Sequence, residues 1–95
     1  MAKLQQLENQ IAVIGQIDFE NADDVYRQGL QIIKNNQHWP MLIDLQQLTH
    51  GNTLALAVFI QWLRACPGQH QLKLLHVPAK MQGILRASHL EQIAI

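Results

Sequence analysis

Ile11, Val13 and Gly15 alternate with Ala12, Ile14 and Gln16, and β-branched side chains dominate the centre, so residues 10–19 read as a strand. Residues 3–7 offer a short partner strand ahead of it. The period then changes. Ala22, Val25, Tyr26, Gly29, Leu30 and Ile33 recur at three- and four-residue steps, with Asp23, Asp24, Arg27, Gln31 and Lys34 on the other side. An amphipathic helix over 22–35 is predicted, with Asn21 as candidate N-cap and two carboxylates in its first turn, where they face the positive end of the dipole.

After the polar turn 35–38, Pro40 opens Met41-Leu42-Ile43-Asp44-Leu45, a short apolar run expected of a central strand buried on both faces. A loop over 46–51 leads to Asn52 and Thr53, either of which can cap a second helix running to Cys66, where Pro67-Gly68 stops it. Residues 71–77 give a further strand. Pro78 suits the first position of a third helix reaching Ser88, and residues 90–95 fit either state. Strands and helices that alternate over short loops predict a largely parallel sheet with helices packed on it.

The second helix is apolar nearly all round. From Leu54 to Cys66 only Gln61 and Arg64 interrupt it. A helix on the outside of a small α/β domain needs one apolar stripe, so the excess must be covered by a neighbouring helix, by residues 90–95 or by another protein. A partner protein for part of that surface is the favoured reading.

The 95 residues suit one domain, and 48% hydrophobic residues suffice for one core. Seven basic residues balance seven acidic ones. That neutrality removes the field that nucleic-acid binding or a polybasic membrane anchor needs. Trp39 and Trp62 lack interleaved basic residues and read as packing or interface anchors. The longest apolar segment, residues 54–60, falls short of the roughly 20 residues that span a bilayer. The start Met1-Ala2-Lys3 leads into no apolar stretch of the kind a secretory signal has, so a cytosolic location is expected.

Catalytic and metal chemistry find no assembly. Cys66 is the lone cysteine, which removes an intramolecular disulfide or a two-thiolate zinc site, and its place at the end of an apolar helix suits a buried or half-buried small residue. His38, His50, His70, His76 and His89 lack the i, i+4 spacing of a helical metal site. Asp44 is expected to accept backbone N–H bonds from the loop that follows it, as a structural carboxylate. Asp23 and Asp24 point about 100° apart and cannot share a substrate atom. No glycine-rich phosphate loop follows a strand. No catalytic residue, metal or cofactor is therefore expected, and the chain is read as a non-enzyme.

The run Ile43-Asp44-Leu45-Gln46-Gln47-Leu48-Thr49-His50-Gly51-Asn52-Thr53-Leu54-Ala55-Leu56-Ala57 resembles the signature of the STAS family: a buried strand ending in an acid, a loop, then Asp-Ser or Asp-Thr opening a helix. Val13-Ile14-Gly15-Gln16-Ile17-Asp18 is similar to the family's second strand. Here Asn52 replaces the usual Asp, Ala55 stands where Gly is common, and Gly51 where an apolar residue is usual. The resemblance implies one STAS domain over 1–95, an α/β fold with a mixed, largely parallel sheet.

Within the family, the small size and Thr53 most resemble the STAS subunit of Mla phospholipid-transport ABC systems. That implies a cytoplasmic accessory subunit, held at the inner membrane through a partner, that binds the transporter's ATPase and supports its assembly or activity. The expected contact residues are Asn52, Thr53, Leu54, Ala57 and Gln61. The alternative is an anti-sigma-factor antagonist that meets a kinase and is switched by phosphorylation of Thr53. Phosphate there would add roughly −1.5 to −2 charge and release an apolar partner. Thr53 could equally be no more than a helix cap, and a homodimer stays open.

Overall fold

A computed structural model describes residues 1–68 and 71–95; His70 lies outside that range. The strands are β1 (Ala2–Leu7), β2 (Gln10–Gly15), β3 (Met41–Asp44) and β4 (Leu72–Leu75), and the helices are α1 (Ala22–Lys34), α2 (Thr53–Arg64) and α3 (Ala79–Ala87), followed by a short 3₁₀ turn at Glu91–Ile93. The sheet order is β1-β2-β3-β4, with β1 antiparallel to β2 and the other two pairings parallel. The fold is the mixed, largely parallel α/β arrangement anticipated, and β3 is an inner strand.

Register explains why only one side of β2, β3 and β4 is buried. Ile11 pairs with Ile43 and Ile43 with Leu74, all on one face and all fully buried, together with Val13, Met41 and Leu72. The opposite row, Ala12, Asp44 and Leu75, stays half-exposed. The expectation that β3 is buried on both faces is thus corrected. Val25 and Ile33 of α1, Leu56, Phe59 and Trp62 of α2, and Met81 and Leu85 of α3 share one core with the buried sheet face. Each such side chain, fully buried, stabilises by roughly 1.5–3 kcal/mol.

Several boundaries move for local reasons. β2 ends at Gly15 and not at residue 19, because Gly15 takes φ +94°. Its N–H donates to the Gln47 carbonyl (3.1 Å) and its own carbonyl accepts Thr49 N–H (2.8 Å), a parallel bridge to Leu48, while on the β1 side Gln16 N–H still reaches the Met1 carbonyl at 3.0 Å. Ile17 then drops into the core and Phe19 turns out to solvent, 92% exposed. β4 stops at Leu75, ahead of His76 with φ +54°. α1 closes at Lys34 with Asn35 as its C-cap, and α2 at Arg64 with Ala65 as its cap.

Residues 90–95 do not cover α2. They run past the far edge of the sheet, where Ala94 bridges Leu74 and Ile95 N–H donates to the Leu74 carbonyl at 2.9 Å. The apolar excess of α2 is met on one side by α1, against which Trp62 packs, and by α3. No helix among the described residues is long and apolar enough to cross a membrane.

Candidate functional site

The start of α2 is set by Asn52. Its backbone is extended (φ −126°, ψ 177°) and its Oδ1 accepts the Ala55 N–H at 2.8 Å, satisfying one of the unpaired donors of the first turn. Asn52 Nδ2 reaches the Ile17 carbonyl at 3.5 Å, which ties the helix start to the β2–α1 loop. Capping is therefore the work of Asn52. Thr53 is exposed, and among the described residues its hydroxyl has no hydrogen-bond partner.

Along α2 the exposed positions are Thr53, Ala57, Gln61 and Arg64, at steps of four, four and three residues, so they lie on one side of the helix. Leu54 and Ile60 flank that stripe half-buried. No charged residue occurs in α2 before Arg64. The five positions expected as contacts are thus gathered on one surface: Thr53, Ala57 and Gln61 on its crest, Asn52 and Leu54 at its end.

Two depressions border the stripe. One is lined by Gln16, Ile17, Asp18, Phe19, Asn52, Thr53 and Leu54, and the other, in the seam of α1 and α2, by Tyr26, Ala57, Val58 and Gln61. Phe19 and Tyr26 were not anticipated here. Phe19 keeps the odd-numbered parity of Ile11, Val13 and Ile17, which placed it in a strand. The available signal was Asp18-Phe19-Glu20-Asn21, where Asp and Asn three apart favour a turn. In that turn Asp18 Oδ1 accepts the N–H groups of Glu20 and Asn21, each at 3.0 Å, and Asn21 Oδ1 accepts that of Asp18 at 2.9 Å. Asn21 precedes α1 but does not cap it with its side chain, which is engaged backwards.

Away from this surface, Asp44 Oδ1 accepts the Gln46 N–H at 3.0 Å, as expected of a structural carboxylate. The same oxygen lies 2.8 Å from His76 Nδ1, a contact that only the parallel pairing of β3 with β4 creates. Burial pushes the Asp44 carboxyl up, but the hydrogen bonds from His76 and Gln46, with the charge of His76, outweigh it and hold the group below its ordinary value. Burial raises the Cys66 thiol to about 11, and its Sγ donates to the Trp62 carbonyl at 3.4 Å. His38, His50, His76 and His89 are all exposed, and among the described residues no three His, Cys, Asp or Glu side chains converge as metal ligands. Asp23 pairs with Arg27 at 2.6 Å along α1.

Residues 2–95 match the family described as Mlab, STAS domain. No curated protein matches the chain significantly. Among solved structures, a chain of the Acinetobacter MlaFEDB complex in an ATP-bound conformation is 48% identical, with 96% of each chain covered and a TM-score of 0.85. A second ATP-bound conformation of that complex gives 50% identity, 93% coverage of each chain and a TM-score of 0.83. An anti-sigma factor antagonist from Mycobacterium paratuberculosis is 12% identical, covers 97% of this chain and 80% of its own, and has a TM-score of 0.75, a likeness of fold alone.

Proposed function

The chain belongs to the STAS family, in the group described as Mlab, and from that premise we propose that it is a non-enzymatic accessory subunit of a phospholipid-transport ABC system. In this reading a single STAS domain over 1–95 docks onto the ATPase through the outer stripe of α2 and supports that subunit's assembly or activity. It is held at the cytoplasmic side of the inner membrane by its partner alone.

One observation carries the reading. The crest Thr53, Ala57 and Gln61 is exposed, uncharged and flanked by half-buried Leu54 and Ile60, on a helix whose opposite side is already satisfied by the core. Small and uncharged crest residues allow another protein's backbone to approach closely without desolvating a charge, which is how interface cores differ from the rest of a surface. The Thr53 hydroxyl, released from capping by Asn52, is available to a polar group of that partner. The high identity to a chain of an ATP-bound MlaFEDB complex supports the choice of partner class.

Co-purification from the native host tests this, with wild type beside Thr53→Ala and Ala57→Glu and with mass spectrometry of the bound proteins. An ABC ATPase recovered with wild type and lost with Ala57→Glu is the expected result. Recovery of a kinase-like protein, with phosphate on Thr53, would replace this reading with the anti-sigma antagonist.

A further inference from the structure

Phe19 stands 92% exposed on the β2–α1 loop, at the rim of the depression that Thr53 and Leu54 also line. The loop backbone that carries the ring is held in place. Asp18 and Asn21 bond each other's backbone groups, Asn21 Nδ2 donates to the Gln16 carbonyl at 2.9 Å, and Asn52 Nδ2 reaches the Ile17 carbonyl. An aromatic side chain presented this way has already lost most of the backbone freedom that binding would otherwise have to remove. Aromatic residues of this kind are enriched where interfaces draw their affinity.

The surroundings are acidic. Asp18, Glu20, Asp23 and Asp24 are four of the chain's seven acidic residues, in one short stretch. Arg27 is spent on Asp23 and the N-terminal ammonium lies 4.0 Å from Asp18, but among the described residues neither Glu20 nor Asp24, both exposed, has a basic partner. The chain is neutral overall but not locally. A second copy of this chain, meeting the same patch about a two-fold axis, would set these carboxylates against each other. A partner of opposite charge suits the patch.

We propose that Phe19 is the anchor of the docking surface, entering an apolar socket on the ATPase subunit that is bordered by basic side chains. This rests on the docking reading above and extends the surface beyond α2.

The test uses the full chain and the ATPase subunit purified from the native host, with affinity measured across ionic strengths for wild type, Phe19→Ala, Glu20→Lys/Asp24→Lys and Ala57→Glu. Phe19→Ala is expected to weaken binding by about 30-fold or more, with no change in melting temperature since the side chain is exposed. Wild-type affinity should fall as salt rises, and the double lysine variant should bind more weakly at low salt with little of that dependence. Binding by Phe19→Ala within about threefold of wild type, while Ala57→Glu abolishes it, overturns the anchor and leaves the docking reading standing. Salt-independent wild-type binding overturns the basic border. A wild-type chain that does not bind the ATPase overturns both.

Discussion

Trp62 of α2 occupies the space that a side chain on Gly29 of α1 would need: a Cβ built on Gly29 falls inside the indole, with Nε1 2.5 Å away. Trp62 is fully buried, and its Nε1–H donates to the Tyr26 carbonyl at 3.0 Å, so the ring is pinned to α1 by one hydrogen bond and by the absence of one side chain. This junction sets how closely the two helices approach, and hence the shape of the seam between Tyr26 and Ala57.

Gly29→Ala is expected to destabilise the protein although alanine is the better helix former. The propensity gain is about 1 kcal/mol, whereas overpacking a buried ring costs about 1–3 kcal/mol and rises when the ring cannot turn. A net loss of up to about 2 kcal/mol should appear as a lower urea midpoint at unchanged slope. In the Gly29→Ala background, Trp62→Phe should cost less than it does in wild type, with a coupling of at least about 0.5 kcal/mol. Strict additivity would show that the two residues do not compete for space.

Asn52 and Thr53 should separate cleanly in stability and binding. Asn52→Ala removes the acceptor for the Ala55 N–H and should lower stability by about 1 kcal/mol. Thr53→Ala removes an exposed hydroxyl with no intramolecular partner and should move stability by less than about 0.5 kcal/mol. Thermal melts of the two variants check this. A Thr53→Ala loss as large as that of Asn52→Ala would return the capping role to Thr53.

The contact of Asp44 with His76 predicts an acid-limited contribution to stability. The folded-state pKa of Asp44 is lowered, so its contribution is complete above the ordinary carboxylate range and is lost as pH falls through the depressed folded value. Chemical denaturation of wild type and Asp44→Asn should therefore differ above the usual carboxylate range and converge in acid below it. Curves that stay parallel to the lowest pH at which both fold would assign the Asp44→Asn effect to shape alone.

Cys66 should be a poor nucleophile in the native protein. Burial raises its thiol from 9.0 to about 11, which cuts the thiolate fraction at pH 8 by about 100-fold. Alkylation by iodoacetamide should be slower than in the urea-unfolded chain by at least that factor. Equal rates would mean that the end of α2 opens readily around Trp62 and Cys66.

Periodicity located β2 and α1, because alternation and three- and four-residue steps report which side chains must leave water whatever the partner, while a short apolar run marked β3 and cap and stop residues marked α2. Neighbouring turn residues such as Pro67-Gly68 placed several of the breaks, and the Asn52-Thr53 pair with the uncharged run behind it marked the face now proposed for docking. What tertiary structure decided were contacts between residues far apart in the chain. All three helices lie on one face of the sheet, so β3 is buried on a single side; residues 94–95 pair with β4 and not with α2; Asp44 meets His76 only because β3 and β4 run parallel in register. The sharpest case is Phe19. Its parity along the chain matched the core-facing residues of β2, yet the strand ends at Gly15 with φ +94°, Asp18 and Asn21 close a turn, and the ring emerges into solvent at the rim of the depression that Thr53 also lines. Local patterns encode the need to bury a side chain, but which surface supplies the cover depends on distant segments whose positions no local pattern contains.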